Sequence, residues 1–246
     1  MLEDSRGTAC EPSMLRAILD IILPRVCLLC AAHGNEDGLC PACASRMLEK
    51  RIRSPICTVC GAPLPGSAGP DHACGECLSE RVPFICARSA LAADGAVLDA
   101  IHRFKYGHEV NLAGTLAAIM ATVALPEAPS VIVPVPLHVR RLRERGFNQS
   151  LLLANELSKA LNAPVDYANL KKRMDTPQQA RCNADERKRN VKGAFEVTRP
   201  GAFKGSLVLL IDDVYTTGAT IKECAATLKR DGAIVMALTL ARAIKI

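Results

Sequence analysis

Leu209-Leu-Ile-Asp212-Asp213-Val-Tyr-Thr216-Thr217-Gly218-Ala219-Thr220 decides how this chain is read. The apolar run Leu207–Ile211 is long enough for a strand and carries no polar face, so it predicts a strand buried on both sides. Two adjacent carboxylates end the run, followed by a hydroxyl-rich turn around Gly218 and a helix from about Ala219 to Arg230. Backbone N–H groups at a helix start, joined by threonine hydroxyls, suit a phosphate dianion, and Gly218 lets the backbone come close to its oxygens. Asp212 and Asp213 repel the phosphate itself. They are placed to accept hydrogen bonds from sugar hydroxyls or to organise a divalent cation. The stretch therefore suits a ribose with a phosphate on one side and metal-bound oxygens on the other. A plain helix cap at Thr217 or Thr220 leaves two acids and three threonines around one glycine unexplained. The motif is no Walker-type loop, since G-x-x-x-x-G-K-[ST] is missing.

Outward from this point, the pattern of a layered α/β domain repeats. Asp231-Gly232 ends the helix and Ala233–Leu240 predicts another strand, while Val131–Pro136 predicts a strand ending in proline. Leu91–Phe104, Leu112–Leu125 and Ser150–Leu161 have helical spacing. Strands alternating with helices favour a mostly parallel, twisted sheet flanked by helices, here over residues 90–246.

Residues 15–86 differ in texture. Ten of the chain's 12 cysteines precede residue 87, in a stretch rich in Pro and Gly with little room for an apolar core. Cys27-Leu-Leu-Cys30 and Cys40-Pro-Ala-Cys43 form one pair of C-x-x-C turns; Cys57-Thr-Val-Cys60 and Cys74-Gly-Glu-Cys77 form a second. Each turn aims two thiolates at one point, so two turns supply a tetrahedral Zn²⁺ site. Two structural zinc ions are expected, with sequential and interleaved pairings both open. A disulfide framework fits an oxidising compartment, and a redox C-x-x-C needs a strand–helix setting absent here. Cys10, Cys86, Cys182 and Cys224 stand alone and read as small buried hydrophobes, and His33 and His72 as loop residues.

Composition narrows the function. Aromatics make up 3% of the 246 residues with no Trp, which disfavours a stacking platform for single strands. The best apolar stretch, Met14–Leu29, is interrupted by Arg16, Asp20, Pro24 and Arg25, so neither a membrane span nor a secretory signal is expected and a cytoplasmic protein is. Residues 131–200 carry 14 Lys and Arg against 7 Asp and Glu, a net of +7 where the whole chain has +6. The excess falls in Pro134–Gln149, which follows a strand, and in Lys171–Phe195. A solvated face is the ordinary reading of such runs. Guanidinium groups at a strand's carboxyl end also fit pyrophosphate or a nucleic-acid backbone.

The Asp-Asp-x-x-Thr-Thr-Gly-x-Thr pattern resembles the binding motif for phosphoribosyl pyrophosphate (PRPP) in type I phosphoribosyltransferases. Together with the cysteine module, P-V-P-L-H…R-x-R-G-F-N-Q and T-P-x-Q…R-x-x-N-V-x-G-A-F, it resembles the ComF family over roughly residues 15–243. The resemblance implies a type I phosphoribosyltransferase-like fold preceded by a double zinc ribbon. It implies that Thr216, Thr217, Gly218, Ala219 and Thr220 hold the 5′-phosphate, that Asp212 and Asp213 hold the ribose hydroxyls, and that Mg²⁺ sits on the pyrophosphate. His138, Arg140 and Arg141 would take the pyrophosphate, with Arg173 or Arg187 closing over it from a flexible loop. Lys105-Tyr106 matches the family's L-K-Y motif, with Phe104 in place of Leu, and Cys182 stands where Leu is common. The family's link to DNA uptake implies single-stranded DNA and a DNA-translocating helicase as partners. Phosphoribosyl transfer, an accessory DNA- or helicase-binding role and a PRPP-sensing role are all compatible with these motifs. No general base and no acceptor is assigned.

Overall fold

The computed structural model describes residues 26–33, 38–66, 69–107, 109–176 and 189–244. Its centre is a four-stranded parallel sheet made of β1 (Cys86–Ala92), β2 (Val131–Pro134), β5 (Leu207–Tyr215) and β6 (Ile234–Arg242), in the order β1-β6-β5-β2. A two-stranded antiparallel ribbon, β3 (Leu170–Lys172) with β4 (Phe195–Val197), lies apart from it. Helices α1 (Pro41–Leu48) and α2 (Gly75–Ser79) belong to the cysteine-rich region. They are followed by α3 (Ala96–Tyr106), α4 (Leu112–Ala121), α5 (Val139–Arg145), α6 (Gln149–Leu161) and α7 (Ala219–Arg230).

Alternation along β5 sends side chains to two cores. Leu209 and Ile211 join one cluster with Phe104 of α3, Leu116 of α4 and Leu153 and Leu157 of α6. Val208 and Leu210 join a second with Ile221, Ala225 and Leu228 of α7 and with Leu170 and Phe195 of the ribbon. Helices thus cover both faces of a parallel sheet, as the strand–helix alternation predicts. Among the described residues, no helix is long and apolar enough to cross a membrane.

Three expectations need correction. Leu91 lies in β1 and not in a helix, and α3 starts only at Ala96. The alanines of Cys86–Ala92 look helical in isolation, but they are buried in a sheet covered on both faces, where packing overrides propensity. The helix expected over Leu112–Leu125 stops at Ala121, where Thr122 Oγ1 donates to the Ile119 carbonyl at 2.7 Å. β5 continues beyond Ile211 to Tyr215, so both acids lie within the strand. The cysteine-rich stretch also has more core than its composition suggests, because Cys27, Leu39, Cys40, Cys43 and Met47 pack into the same apolar cluster as α3 and α4.

Candidate functional site

β5 hands directly into α7 through Thr216–Gly218, at the carboxyl edge of the sheet where open α/β folds bind ligands. Gly218 caps α7 with φ +73, a left-handed conformation. A Cβ there would collide with the Tyr215 ring and hydroxyl, and the left-handed backbone would strain any other residue. Thr217 Oγ1 accepts from the Ala219 N–H at 3.4 Å, while Gly218 contributes no side-chain cap. The first-turn N–H groups of α7, which lack intrahelical acceptors by geometry, surround the turn.

The two carboxylates have different partners. Asp212 Oδ1 accepts from Ser150 Oγ at 3.0 Å and from the Asp213 N–H at 2.9 Å. Burial, with the neighbouring Asp213 charge, pushes its carboxyl up to about 7, against the opposing pull of Lys105 and of these two donors. Asp213 forms an ion pair with Lys105. Burial draws the Lys105 ammonium down, but the Asp213 carboxylate outweighs it and holds the group above its ordinary value. Lys105, Asp212, Asp213, Thr216, Gly218, Ala219 and Thr220 line one cavity of about 300 Å³. In the sequence Lys105 belongs only to a short motif; what marks it as a site residue is its position on α3, paired with Asp213.

The other predicted cations stand differently. His138 caps α5, accepting the Arg140 N–H on Nδ1 at 3.4 Å, and lies 3.7 Å from Asp175. Arg140 is paired with Glu144 at 3.1 Å and with Asp175 at 3.2 Å, Arg141 with Glu144 at 3.4 Å, and Arg173 with Glu196 at 3.3 Å. Asp175 thus brings the two basic segments together, but none of these guanidinium groups lines the cavity at the turn. Arg187 and Cys182 lie outside the described residues. Part of the R-G-F-N-Q stretch is structural. Asn148 caps α6 by accepting the Ser150 N–H at 3.0 Å, and its amide donates to the Val135 carbonyl at 3.1 Å, which ties α6 to the end of β2 and places Ser150 against Asp212. Lys172, in β3, donates to Thr176 Oγ1 at 2.7 Å and sits 5.7 Å from the Phe195 ring centre. Burial lowers its pKa.

The cysteines resolve into two sequential quartets, Cys27/Cys30/Cys40/Cys43 and Cys57/Cys60/Cys74/Cys77, whose sulfurs all lie within 4.8 Å of one another. A tetrahedron with Zn–S of about 2.3 Å has S···S edges of about 3.8 Å. Cys30 and Cys40 Sγ are 3.7 Å apart, and Cys60 and Cys74 Sγ are 3.8 Å apart. Both quartets therefore fit structural zinc, which stands at four thiolates each with no position left for catalytic water. Charge distribution agrees. Burial raises Cys27, yet N–H donors from Cys40, Leu29 and Cys30 bring it down to about 6, whereas burial and its three neighbours push Cys43 up to about 12. Cys86 and Cys224 are buried, and burial raises both thiols, as expected of packing residues.

The second quartet lies against the sheet. The Ala87 N–H donates to the Val59 carbonyl at 2.7 Å, and Arg88 reaches the Thr58 carbonyl at 3.0 Å. A Cβ at Gly61 would meet the Ala87 carbonyl at 2.5 Å, so only glycine allows this approach. Between this quartet and the turn after β5 is a larger cavity of about 840 Å³, lined by Cys60, Cys74, Cys77, Glu80, Thr216, Thr217, Lys222 and Arg242 among others.

Two known families match successive parts of the chain. A double zinc ribbon domain matches residues 18–78, and a phosphoribosyl transferase domain matches residues 148–245. DNA utilization protein YhgH of Escherichia coli (strain K12) is 34% identical over 225 residues, covering 87% of this chain and 94% of that one. Competence protein F of Haemophilus influenzae is 32% identical over 223 residues (84% and 91%), and competence protein ComFC of Bacillus subtilis 27% over 241 residues (88% and 95%). Among solved structures, adenine phosphoribosyltransferase from Leishmania donovani aligns over 82% of this chain and 80% of its own, with a TM-score of 0.36 and 12% identity. With a double zinc ribbon ahead of a phosphoribosyltransferase-like domain, and relatives sharing a third of their residues across nearly their full length, the chain belongs to the ComF family.

Proposed function

We propose that this protein binds PRPP with Mg²⁺ at the end of β5 and transfers its phosphoribosyl group to an acceptor, in the service of DNA uptake or use. One observation carries the reading: an acid pair, a left-handed glycine turn and a helix N-terminus line a single cavity of about 300 Å³. Thr216–Thr220 hold the 5′-phosphate on backbone N–H groups and hydroxyls. Asp212 and Asp213 accept hydrogen bonds from the ribose hydroxyls, and Lys105, now on Asp213, offers its charge to the phosphate oxygens. Mg²⁺ prefers hard oxygen donors, which this carboxylate pair and the pyrophosphate would supply. In the transfer, the bond from C1 to the pyrophosphate oxygen breaks with its electron pair, positive charge builds on the ribose, and an acceptor nucleophile bonds to C1. His138, Arg140 and Arg141 meet the leaving group by exchanging Glu144 and Asp175 for its oxygens, with Arg173 and Arg187 closing above it. Fixed charges around a dry cavity favour such a step.

Calorimetric titration with PRPP and Mg²⁺ tests the binding. The parent is expected to bind, and Asp212→Ala/Asp213→Ala to lose at least about a hundredfold in affinity, as two hydrogen bonds to charged groups lost together would give. A parent that gives no heat overturns the reading.

An accessory role at single-stranded DNA or its helicase in the cytoplasm is favoured by a different observation. Helix α5 places Arg140, Arg141, Arg143 and Arg145 within seven residues, Arg140 being 70% exposed. Contact with a phosphate backbone there predicts affinity that falls steeply with salt. Affinity independent of salt rejects it.

A further inference from the structure

Arg242 ends β6 at 8% exposure. Its guanidinium is committed in two directions. Nη1 donates to the Cys60 carbonyl at 2.8 Å and Nη2 reaches Cys60 Sγ at 3.6 Å. On its other side, Cζ sits 4.2 Å from the centre of the Tyr215 ring. Tyr215 is itself buried, and its hydroxyl occupies the space where a side chain on Gly218 would fall. A continuous packed path therefore runs from a sulfur of the second quartet, through Arg242 and Tyr215, to the left-handed residue that shapes the phosphate turn. A second tether runs beside it. Glu80, three residues after Cys77, pairs with Lys222 at 2.5 Å, and Lys222 lies in the first turn of α7, its N–H on the Gly218 carbonyl at 2.8 Å. The second quartet thus grips the phosphate turn on both its strand side and its helix side.

We propose that Arg242 is a positioning residue that links metal occupancy of the Cys57/Cys60/Cys74/Cys77 quartet to anion binding at Thr216–Thr220. This rests on the reading of that turn as a phosphate site. Four thiolates around one divalent zinc carry a net charge of −2, and the buried guanidinium beside Cys60 is matched by that charge. When the metal leaves, Arg242 keeps its bond to the Cys60 carbonyl, but the knuckle that carries this carbonyl is no longer fixed and the −2 charge that holds the guanidinium over Tyr215 is gone. The ring behind Gly218 is then released. Linkage is reciprocal, so an anion that fixes the turn must also retain the zinc. The first quartet packs into the cluster with α3 and α4, and its route to the site, through α3 and Lys105, leads to Asp213 and not to Tyr215 and Gly218, which makes it the internal comparison.

The test uses the full, zinc-loaded chain. Cysteine alkylation in the presence of a chelator is followed by mass spectrometry, peptide by peptide, so that each quartet is read separately. Saturating PRPP with Mg²⁺ is expected to slow alkylation of Cys57, Cys60, Cys74 and Cys77 by about fivefold or more and to leave Cys27, Cys30, Cys40 and Cys43 unchanged. Arg242→Gln should reduce that protection to under about twofold. Arg242→Lys should retain zinc without restoring the protection, because an ammonium lacks the planar fork and stack. If Arg242→Gln does not fold, Tyr215→Leu interrupts the same path with the arginine intact and should give the same loss. PRPP binding by calorimetry with unaltered alkylation of the second quartet overturns the linkage alone. Absence of PRPP binding in the parent overturns the reading of the turn and the linkage with it.

Discussion

The two cysteine quartets share a donor set, the C-x-x-C turn and nearly identical sulfur separations, yet they are embedded in opposite ways. Cys27, Cys40 and Cys43 are buried in the apolar cluster that contains Met47 of α1, Val97 and Phe104 of α3 and Leu112 of α4. Cys57, Cys60, Cys74 and Cys77 lie on the rim of the sheet, against β1, the end of β6 and a cavity that opens onto the turn after β5. A metal knot that merely closes a small domain needs only its own four sulfurs. Here one knot completes the main core and the other borders the turn proposed as the phosphate site, so one donor set is embedded for cohesion in the first case and beside a candidate site in the second.

Cutting one knot at a time breaks this comparison most directly. Cys43→Ser leaves three thiols, two of them buried, without their metal and opens the core beneath α3 and α4. Since structural zinc supplies about 10–16 kcal/mol of apparent folding free energy in small domains, this variant is expected to lose global protease resistance. Cys77→Ser is expected to keep the parallel sheet and one zinc per chain while weakening PRPP binding. Metal content, limited proteolysis and calorimetry on the two variants provide the check. Equal damage to stability and ligand affinity from both would show that the quartets do the same work.

The first quartet also reaches the site at one remove, and a smaller effect measures it. Helix α1 packs on α3, and α3 carries Lys105 to Asp213. Lys105→Met keeps the length and apolar stem of the side chain but leaves Asp213, at 10% side-chain exposure, facing the cavity without its cation. Removing one partner of a pair this withdrawn from water costs about 3 kcal/mol, to be read from urea unfolding without ligand. Asp213→Asn in the Lys105→Met background should recover part of the loss, since the uncompensated charge is then gone. No recovery would mean that the packing of α3, and not the ion pair, is what Lys105 contributes.

How much of this the sequence displays follows from the range of each interaction. The turn, the acid pair and the C-x-x-C knuckles are all local patterns, and α7 appears at the bounds its sequence predicts, Ala219–Arg230. The quartets' pairing is not local: spacing permits sequential and interleaved sites alike, and only the fold selects the sequential one. β1 was hidden because Ala87, Ala90 and Ala92 favour helix in isolation, whereas a strand flanked by a partner and covered on both faces needs small residues more than β-branched ones. Lys105 was hidden as a site residue because its partner is more than a hundred positions away. The charge excess in Pro134–Gln149 was visible, but not that Glu144 and Asp175 engage Arg140, since a net count carries no geometry. Arg242 gives no signal at all: a lone arginine near the end of a chain looks like surface charge until the fold buries it beside Cys60.

The smallest expected effect concerns Asp212, whose carboxyl is raised to about 7 from an ordinary 3.8 by burial and by Asp213. Between these two values the folded protein holds a proton on Asp212 that the unfolded chain has released. Its contribution to stability is therefore fully present below about pH 4, falls as pH rises and is lost above about 7, with a slope of at most about 1.4 kcal/mol per pH unit. Asp212→Asn, which cannot ionise, removes this slope, so the stability of the variant relative to the parent should grow from pH 5 to pH 8 in urea titrations. A bound ribose that donates its hydroxyl protons favours the ionised acid and lowers its pKa. Saturating PRPP with Mg²⁺ should then shift the parent's slope to lower pH while leaving the pH dependence of the variant unshifted. A parent slope that ligand leaves in place would detach Asp212 from the sugar and leave Asp213, with Lys105, as the carboxylate that meets it.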